Sequence, residues 1–211
     1  VAHGILEIMN LVGMHEVEPD EYLSRRFSYP VYTQLKGAGL YRHKRTGTYN
    51  RIDFHEHPEQ YDCIFLPYSE QTDILLNGVY WEKIMPRLFE KEAIRSDRFI
   101  IQTIADITDD VNGSIPINLG DQTIEDPVYG VDRKSFEKTP PYLESSVDIV
   151  AVGNLPNELP RDASRYFGEQ LIKYVLDDLV KGGSPTIDRA TIVNKGKLNA
   201  PYAYLKDYAA Q

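Results

Sequence analysis

The sequence predicts an α/β domain built on a mostly parallel sheet with helices on both faces. Three observations carry this. Apolar runs of strand length recur at 61–66, 99–107 and 147–152. An amphipathic run of helical period, 162–181, follows the last of them. Loops rich in Gly, Pro, Asn and Asp trail the runs at Leu66, Ile107 and Val152, as strand-to-helix connections do. Strands alternating with helices at this spacing argue for a parallel sheet covered by helices.

Taken in order, residues 4–13 read as a helix, with Ile5, Ile8, Met9 and Val12 at helical spacing and Gly13 as its stop. There is no initiator Met, and Val1 to Met9 reads as the interior of a longer chain. Residues 15–18 form a short strand. The segment 19–57 is polar, aromatic and irregular, with Gly37, Gly39 and Gly47, and predicts a helical turn or two among exposed loops. Its basic cluster, Arg42-His43-Lys44-Arg45, reads as a solvated face. Pro58 opens a short turn before the strand 61–66. Residues 81–92 read as a helix with a kink or boundary at Pro86. Residues 99–107 are a strand, and 123–131 an exposed strand pair or turn. The strand 147–152 turns through Gly153-Asn154 and two prolines into the helix 160–181. Pro160 falls in its first turn, where a missing N–H costs little. Gly182-Gly183-Ser184-Pro185 stops that helix and links it to a strand-like run at 190–193 and a turn at 194–196. A short helix from Pro201 ends the chain. No repeat of fixed period and no low-complexity stretch interrupts this order. The division is a domain over 1–181 and an extension over 182–211, which packs on that domain or on one upstream.

Composition narrows the function classes. The 211 residues suffice for one large domain or two small ones. A chain of this size can bury roughly 70% of its unfolded surface. Its one cysteine, Cys63, excludes an internal disulfide, reads as a buried core thiol, and fits intracellular residence; the expected location is the cytoplasm, or the mitochondrial matrix in a eukaryote. The net charge is −9, with no Lys/Arg cluster beyond three or four residues, which argues against nucleic acid as a partner. No apolar run reaches membrane-span length and no signal peptide is visible.

In parallel α/β sheets, ligands bind at the carboxyl ends of the strands. Three loops stand there: Leu66-Pro67-Tyr68-Ser69, the acidic loop 105–114, and 153–161. If their strands are parallel neighbours, these loops share one rim. The middle loop holds Asp106, Asp109 and Asp110 ahead of Asn112-Gly113. Carboxylates at a strand end can bind ribose hydroxyls, orient an ammonium group or relay protons. Asp and Asn are also simply good turn residues. A calcium loop fits poorly, for want of the terminal acidic ligand. His55-Glu56-His57 has no third ligand at useful spacing, so no metal site is assigned. Ser69 lacks the glycines of a nucleophile elbow, and no glycine-rich phosphate loop occurs in the chain.

These residues carry a family resemblance. The stretch Ile104-Ala105-Asp106-Ile107-Thr108-Asp109-Asp110-Val111-Asn112-Gly113-Ser114, with Asn154-Leu155-Pro156-Asn157-Glu158-Leu159-Pro160-Arg161, resembles the lysine–2-oxoglutarate reductase and saccharopine dehydrogenase (lysine-forming) family, related to alanine dehydrogenase. Further matches are His57-Pro58-Glu59-Gln60-Tyr61, Asn77-Gly78-Val79-Tyr80-Trp81-Glu82, Pro86-Arg87-Leu88 and Thr123-Ile124-Glu125-Asp126-Pro127, in family order over most of the chain. Within the family it is most similar to the reductase half of the bifunctional aminoadipic semialdehyde synthases. The resemblance implies a two-domain oxidoreductase. This chain would be the Rossmann-like, nicotinamide-binding part, without the first strand and glycine-rich turn that hold the pyrophosphate. By itself it would be inactive. An upstream domain supplies much of the acid–base chemistry, and the substrates are lysine, 2-oxoglutarate and saccharopine.

Carried over by position, Leu66, Pro67 and Tyr68 match the loop on the adenosine side of the cofactor. Asp110 matches the carboxylate that faces the nicotinamide and assists proton transfer. Asp106 matches a loop-organising acid, and Asn154, Leu155 and Pro156 match the loop beside the nicotinamide ring. Gly153 departs from the family, which often has an aspartate there. The cofactor is NADP or NAD: Glu18 or Asp20 would suit a ribose 2′-hydroxyl, Arg25 and Arg26 a 2′-phosphate. A homo-oligomer is allowed. A non-catalytic nucleotide- or metabolite-binding module, or another amino-acid dehydrogenase on the same scaffold, are the alternative readings.

Overall fold

A computed structural model describes residues 2–210. Val1, on which the reading of a chain entered mid-element rests, lies outside the described residues, as does Gln211. The chain divides into two compact units, 1–153 and 154–211.

The first unit opens with helix α1 (Ala2–Leu11), closed by Met14 N–H donating to Met9 C=O and by Gly13 at φ +71°. Strand β1 (His15–Glu16) pairs in parallel with β2 (Val31–Tyr32), and helix α2 (Pro19–Ser24) crosses between them. Next, β3 (Tyr41–His43) pairs antiparallel with β4 (Tyr61–Cys63) around helix α3 (Arg51–Glu56). Asn50 caps α3, its side chain accepting from Ile52 and Asp53 N–H. The Tyr41 ring stacks on Phe54, and Tyr61 meets Phe54 edge to face. Helix α4 (Leu66–Ser69) follows.

The main sheet holds β5 (Ile74–Asn77), β6 (Thr103–Asp106), β7 (Val128–Asp132), β8 (Lys138–Thr139) and β9 (Ser146–Val150), in the order β5-β6-β9-β7-β8. β5, β6 and β9 are parallel; β7 runs antiparallel to β9, and β8 to β7. The fold is α/β with a mixed sheet rather than a mostly parallel one. Ile104, Val131, Val147 and Ile149 are fully buried on it, which is the core of the unit. A side chain at Gly130 would strike Thr139 Oγ1 and lie 2.7 Å from Pro140 C=O, so glycine lets β7 approach β8 closely.

Two sequence expectations are corrected. The run 61–66 is not a strand of the main sheet: only 61–63 is extended, and it pairs with β3. The strand beside β6 is β5, a four-residue run. The stretch 81–92 is not a helix. It is a loop that turns at Pro86, with a 3₁₀ turn at Lys91–Arg95. It is nonetheless packed, with Met85, Leu88 and Phe89 buried, Trp81 Nε1 donating to Met85 C=O at 3.2 Å, and Leu88 N–H to Ser114 C=O at 3.1 Å.

The second unit holds α5 (Leu155–Glu158) and a helical run from α6 (Pro160–Leu171) through a wider turn at Ile172–Leu176 into α7 (Asp177–Val180). Gly182 and Gly183, both at positive φ, end it. Ser184 caps α8 (Pro185–Ala190). A hairpin, β10 (Val193–Asn194) with β11 (Lys197–Leu198), turns on Lys195 and Gly196, and α9 (Lys206–Ala209) closes the chain. No described helix is long and apolar enough to cross a membrane.

Candidate functional site

The parallel strands β5, β6 and β9 end side by side, with Asn77 opposite Asp106 and Ala105 opposite Val150. Two of the three expected strand ends are therefore neighbours, and β5 takes the place expected of 61–66. Side chains at this edge are fixed by a buried polar network. Asp106 is 2% exposed and accepts from Asn77 Nδ2 at 2.8 Å and Asn118 Nδ2 at 2.9 Å. Asn77 Nδ2 also donates to Ser114 Oγ at 2.8 Å. Tyr129 OH donates to Asn118 Oδ1 at 3.1 Å and accepts from Leu119 N–H at 2.8 Å. Burial pushes the Tyr129 hydroxyl up to about 12, so it stays a donor. Thr108 Oγ1 donates to Val79 C=O at 3.0 Å, tying the loop after β6 to the loop after β5.

Above this network lies a rim of carboxylates. Asp109 takes a left-handed backbone, φ +56°, and its Oδ1 is buried without a partner. Burial raises its pKa, the Asn118 amide pulls it back, and the carboxylates of Asp121, Asp106 and Asp110 raise it further. Asp110 is exposed and starts a turn closed by Gly113 N–H on its carbonyl at 2.9 Å. Gly153 follows β9; a Cβ there would strike Asp121 Oδ2 and lie 3.1 Å from Asp109 Oδ2. The space a side chain at 153 would fill thus already holds two carboxylates. Arg87 is the nearby cation. It donates to Asn112 C=O at 3.0 Å and lies over the Trp81 ring.

Asn77, Gly78 and Val79 also wall a cavity of about 930 Å³ within the first unit. Its walls are apolar and aromatic, from α1 through α2 and β2 to β5, with Arg25, Arg26 and Lys36 as cations against the single carboxylate of Asp73. Glu18 and Asp20 are not among its walls. Of the loop 66–68, Tyr68 lines it, stacked on Tyr22, while Leu66 and Pro67 do not; Leu66 is 47% exposed. Asn154, Leu155 and Pro156 belong to the second unit, where Asn154 sits at φ +50° before α5. Among the described residues no three His, Cys, Asp or Glu side chains cluster as metal ligands. Burial raises the Cys63 thiol to about 11, which makes it a poor nucleophile.

The sequence left Asn77, Ser114, Asn118, Asp121 and Tyr129 without roles. A signal was present. Ser114 and Asn118 interleave with Ile115 and Ile117, and polar residues spaced among buried apolar ones announce a satisfied interior network.

The first unit is an α/β unit with an acidic rim at the carboxyl ends of its parallel strands, the edge at which ligands bind in open α/β sheets. Similarity to known proteins is more particular. Over 98% of its length the chain is 28% identical to the mitochondrial alpha-aminoadipic semialdehyde synthase of Mus musculus, and over 97% it is 26% identical to that synthase of Arabidopsis thaliana. Over 59% of its length it is 29% identical to saccharopine dehydrogenase [NAD(+), L-lysine-forming] of Candida albicans. These homologues match the family that the motifs resemble. The chain spans about a quarter of the length of the synthases, 26% and 22% in the two cases. No protein-family model matches it.

Proposed function

We propose that this chain is the nicotinamide-cofactor part of an oxidoreductase that acts on the C–N bond of saccharopine, forming it from lysine and 2-oxoglutarate or the reverse. The observation that carries the reading is the continuity of an acidic strand-end rim, Asp109 and Asp110 above the buried Asp106, with an apolar, cation-lined groove through Asn77 to Val79. Such a groove suits a flat, phosphate-bearing ligand, and such a rim suits a cationic amine. NADP or NAD supplies hydride chemistry when bound; the relatives named as NAD(+)-dependent support a nicotinamide. Tyr68 would flank the adenosine, with Leu66 and Pro67 behind it. Arg25 and Arg26 would meet a 2′-phosphate, which favours NADP. Asp110 would face the reacting end and hold or release a proton there. The roles of Asn154, Leu155 and Pro156 rest on the resemblance.

The fold reading is Rossmann-like. Among the described residues β5 is the last strand of its sheet and has no partner on its outer edge; Ile74 is 62% exposed and α1 has no buried residue. An open parallel edge of this kind calls for another strand. A strand preceding α1, parallel to β5, would fill the part of the groove between them, and its turn would hold the pyrophosphate. Gly153 does not weigh toward a non-catalytic module, because Asp109 and Asp121 already place negative charge where the family's aspartate would project.

The test is Asp110→Asn in the complete protein, assayed for lysine- and 2-oxoglutarate-dependent oxidation of NADPH. The expected result is a fall in kcat of about 10²-fold, with cofactor affinity little changed. Equal turnover would remove Asp110 from the chemistry, and no lysine-dependent oxidation in the parent protein would remove the reaction.

A further inference from the structure

We propose that Asn118 is the positioning residue of the acidic rim: it pins the loop between β6 and β7 from beneath and so sets where Asp109, Asp110 and Asp121 stand. The inference rests on the cofactor-site reading only for its effect on turnover. Asn118 is fully buried, and both its amide nitrogen and its amide oxygen are engaged. Its Nδ2 donates to Asp106; its Oδ1 accepts from Tyr129 OH and from Gly120 N–H at 2.9 Å; its main-chain carbonyl accepts from Asn112 N–H at 2.9 Å. Those bonds grip the loop between Asp110 and Asp121, close to each. Asn112 follows Asp110 by two residues, and Gly120 precedes Asp121 by one.

The network also has a fixed sense. An ionised carboxylate offers only acceptors, so Asn118 turns its amide nitrogen to Asp106. That leaves Oδ1 for Tyr129, whose hydroxyl must then donate. No other orientation of the amide satisfies both neighbours. The ionisable groups in reach are Asp106, Asp109 and Tyr129, with Asp110 and Asp121 acting on Asp109.

This fixed sense supplies a test that bulk destabilisation does not mimic. In Asn118→Asp, the new carboxyl group faces Asp106. Protonated, it donates as the amide did; ionised, it repels Asp106 and loses the loop. Two carboxylates in contact share one proton, at a pKa well above the usual carboxylate range. In Asn118→Leu the donor is absent at every pH. Tyr129→Phe, a smaller change, removes one bond to Asn118 and the acceptor of Leu119 N–H.

The experiment uses the complete protein and two readouts. The first is amide hydrogen exchange at Asn112, Leu119 and Gly120, corrected for intrinsic pH dependence. The parent should protect these amides throughout pH 5–8. Asn118→Asp should protect them at the acid end and lose at least about tenfold in protection by the alkaline end. Asn118→Leu should lack protection throughout, and Tyr129→Phe should lose it at Leu119 alone. The second is turnover. In Asn118→Asp, kcat should fall with rising pH relative to the parent, by about tenfold or more, with KM for NADPH little moved. Equal protection at all pH values in the parent and Asn118→Asp overturns the proposal, as does a pH-independent loss in that variant. Intact exchange behaviour in a protein that does not turn over would instead reject the cofactor reading and leave the positioning role standing.

Discussion

Gly153 and Gly196 are glycine for different physical reasons. Gly153 has an ordinary backbone, and its missing Cβ makes room for two carboxylates. Gly196 has nothing within 4 Å of an added Cβ, but its φ is +77°. Gly153→Ala should therefore destabilise by overpacking, about 1–3 kcal/mol, and disturb the rim. Gly196→Ala should cost about 1 kcal/mol through backbone strain alone, leaving the rim unchanged. Thermal melts with cofactor titrations separate the two. Asp109 gives a third prediction with a definite sign. Its pKa in the folded state is raised above 3.8, so the folded chain holds its proton more tightly than the unfolded chain does. Its contribution to stability is then fullest below pH 3.8 and is lost as pH rises through the raised value. Asp109→Asn should stabilise the protein at pH 7, helped by the tolerance of Asn for a left-handed backbone. The gain should shrink toward acid pH in melts run from pH 3 to 7. No gain at pH 7 would mean that the buried Oδ1 is not a liability. Asp106, Asp109 and Asp110 were legible in the sequence because carboxylates clustered at a strand end stand out. Asn77, Asn118 and Tyr129 were not, because an amide or phenol acquires its role only from partners distant in sequence.

Arg133 illustrates how elements, rather than residues, hold this unit together. Its guanidinium donates to the carbonyls of Ile94, Phe99 and Ile101, at 3.2, 2.9 and 2.8 Å, and lies over the Phe99 ring. It thereby fastens the turn after β7 to the 3₁₀ turn and to the lead-in of β6. Arg133→Leu leaves those carbonyls without a donor and should cost about 2 kcal/mol, read as a shifted urea midpoint. Arg133→Lys should recover only part of it, since one ammonium cannot span three acceptors. Element by element, the sequence was readable where period and punctuation agreed. The runs over 4–13, 147–152 and 160–181 fold close to their expected bounds, and the stop at Gly182-Gly183 is real. It misled where burial came without regular structure. The loop 81–92 is apolar because it packs over the sheet, and Trp81, Met85, Leu88 and Phe89 mimic a helical face. The strand β5 was overlooked because four residues are too few to show a period, while 61–66 offered a longer apolar run whose second half is a turn and helix.

At the scale of the molecule, an acidic rim adjoins a cationic groove in a chain whose net charge is −9. Arg26 and Lys36, with Arg25 paired to Glu21, gather at a cavity against that background, which suits the anionic ligand proposed. Exchange of Arg25 and Arg26 for alanine should weaken NADPH more than NADH, by about tenfold, leaving the melting temperature nearly unchanged because both side chains lie at the groove. The second unit consists of helices and one hairpin. Its helical run leaves Tyr166, Phe167, Ile172 and Val180 largely exposed, a pattern that hydrophobic periodicity alone could not assign to a partner. The α/β class was legible because strand and helix lengths alternate. The mixed sheet was not, because the inserted β7 and β8 carry the same local pattern in either direction. The most direct test of the central claim is calorimetric titration of the complete protein with NADPH and with NADH, each with and without 2-oxoglutarate. The account predicts saturable binding of a dinucleotide, tighter for NADPH, with the preference lost when Arg25 and Arg26 are replaced. Absence of heat from either dinucleotide at millimolar concentration would contradict it.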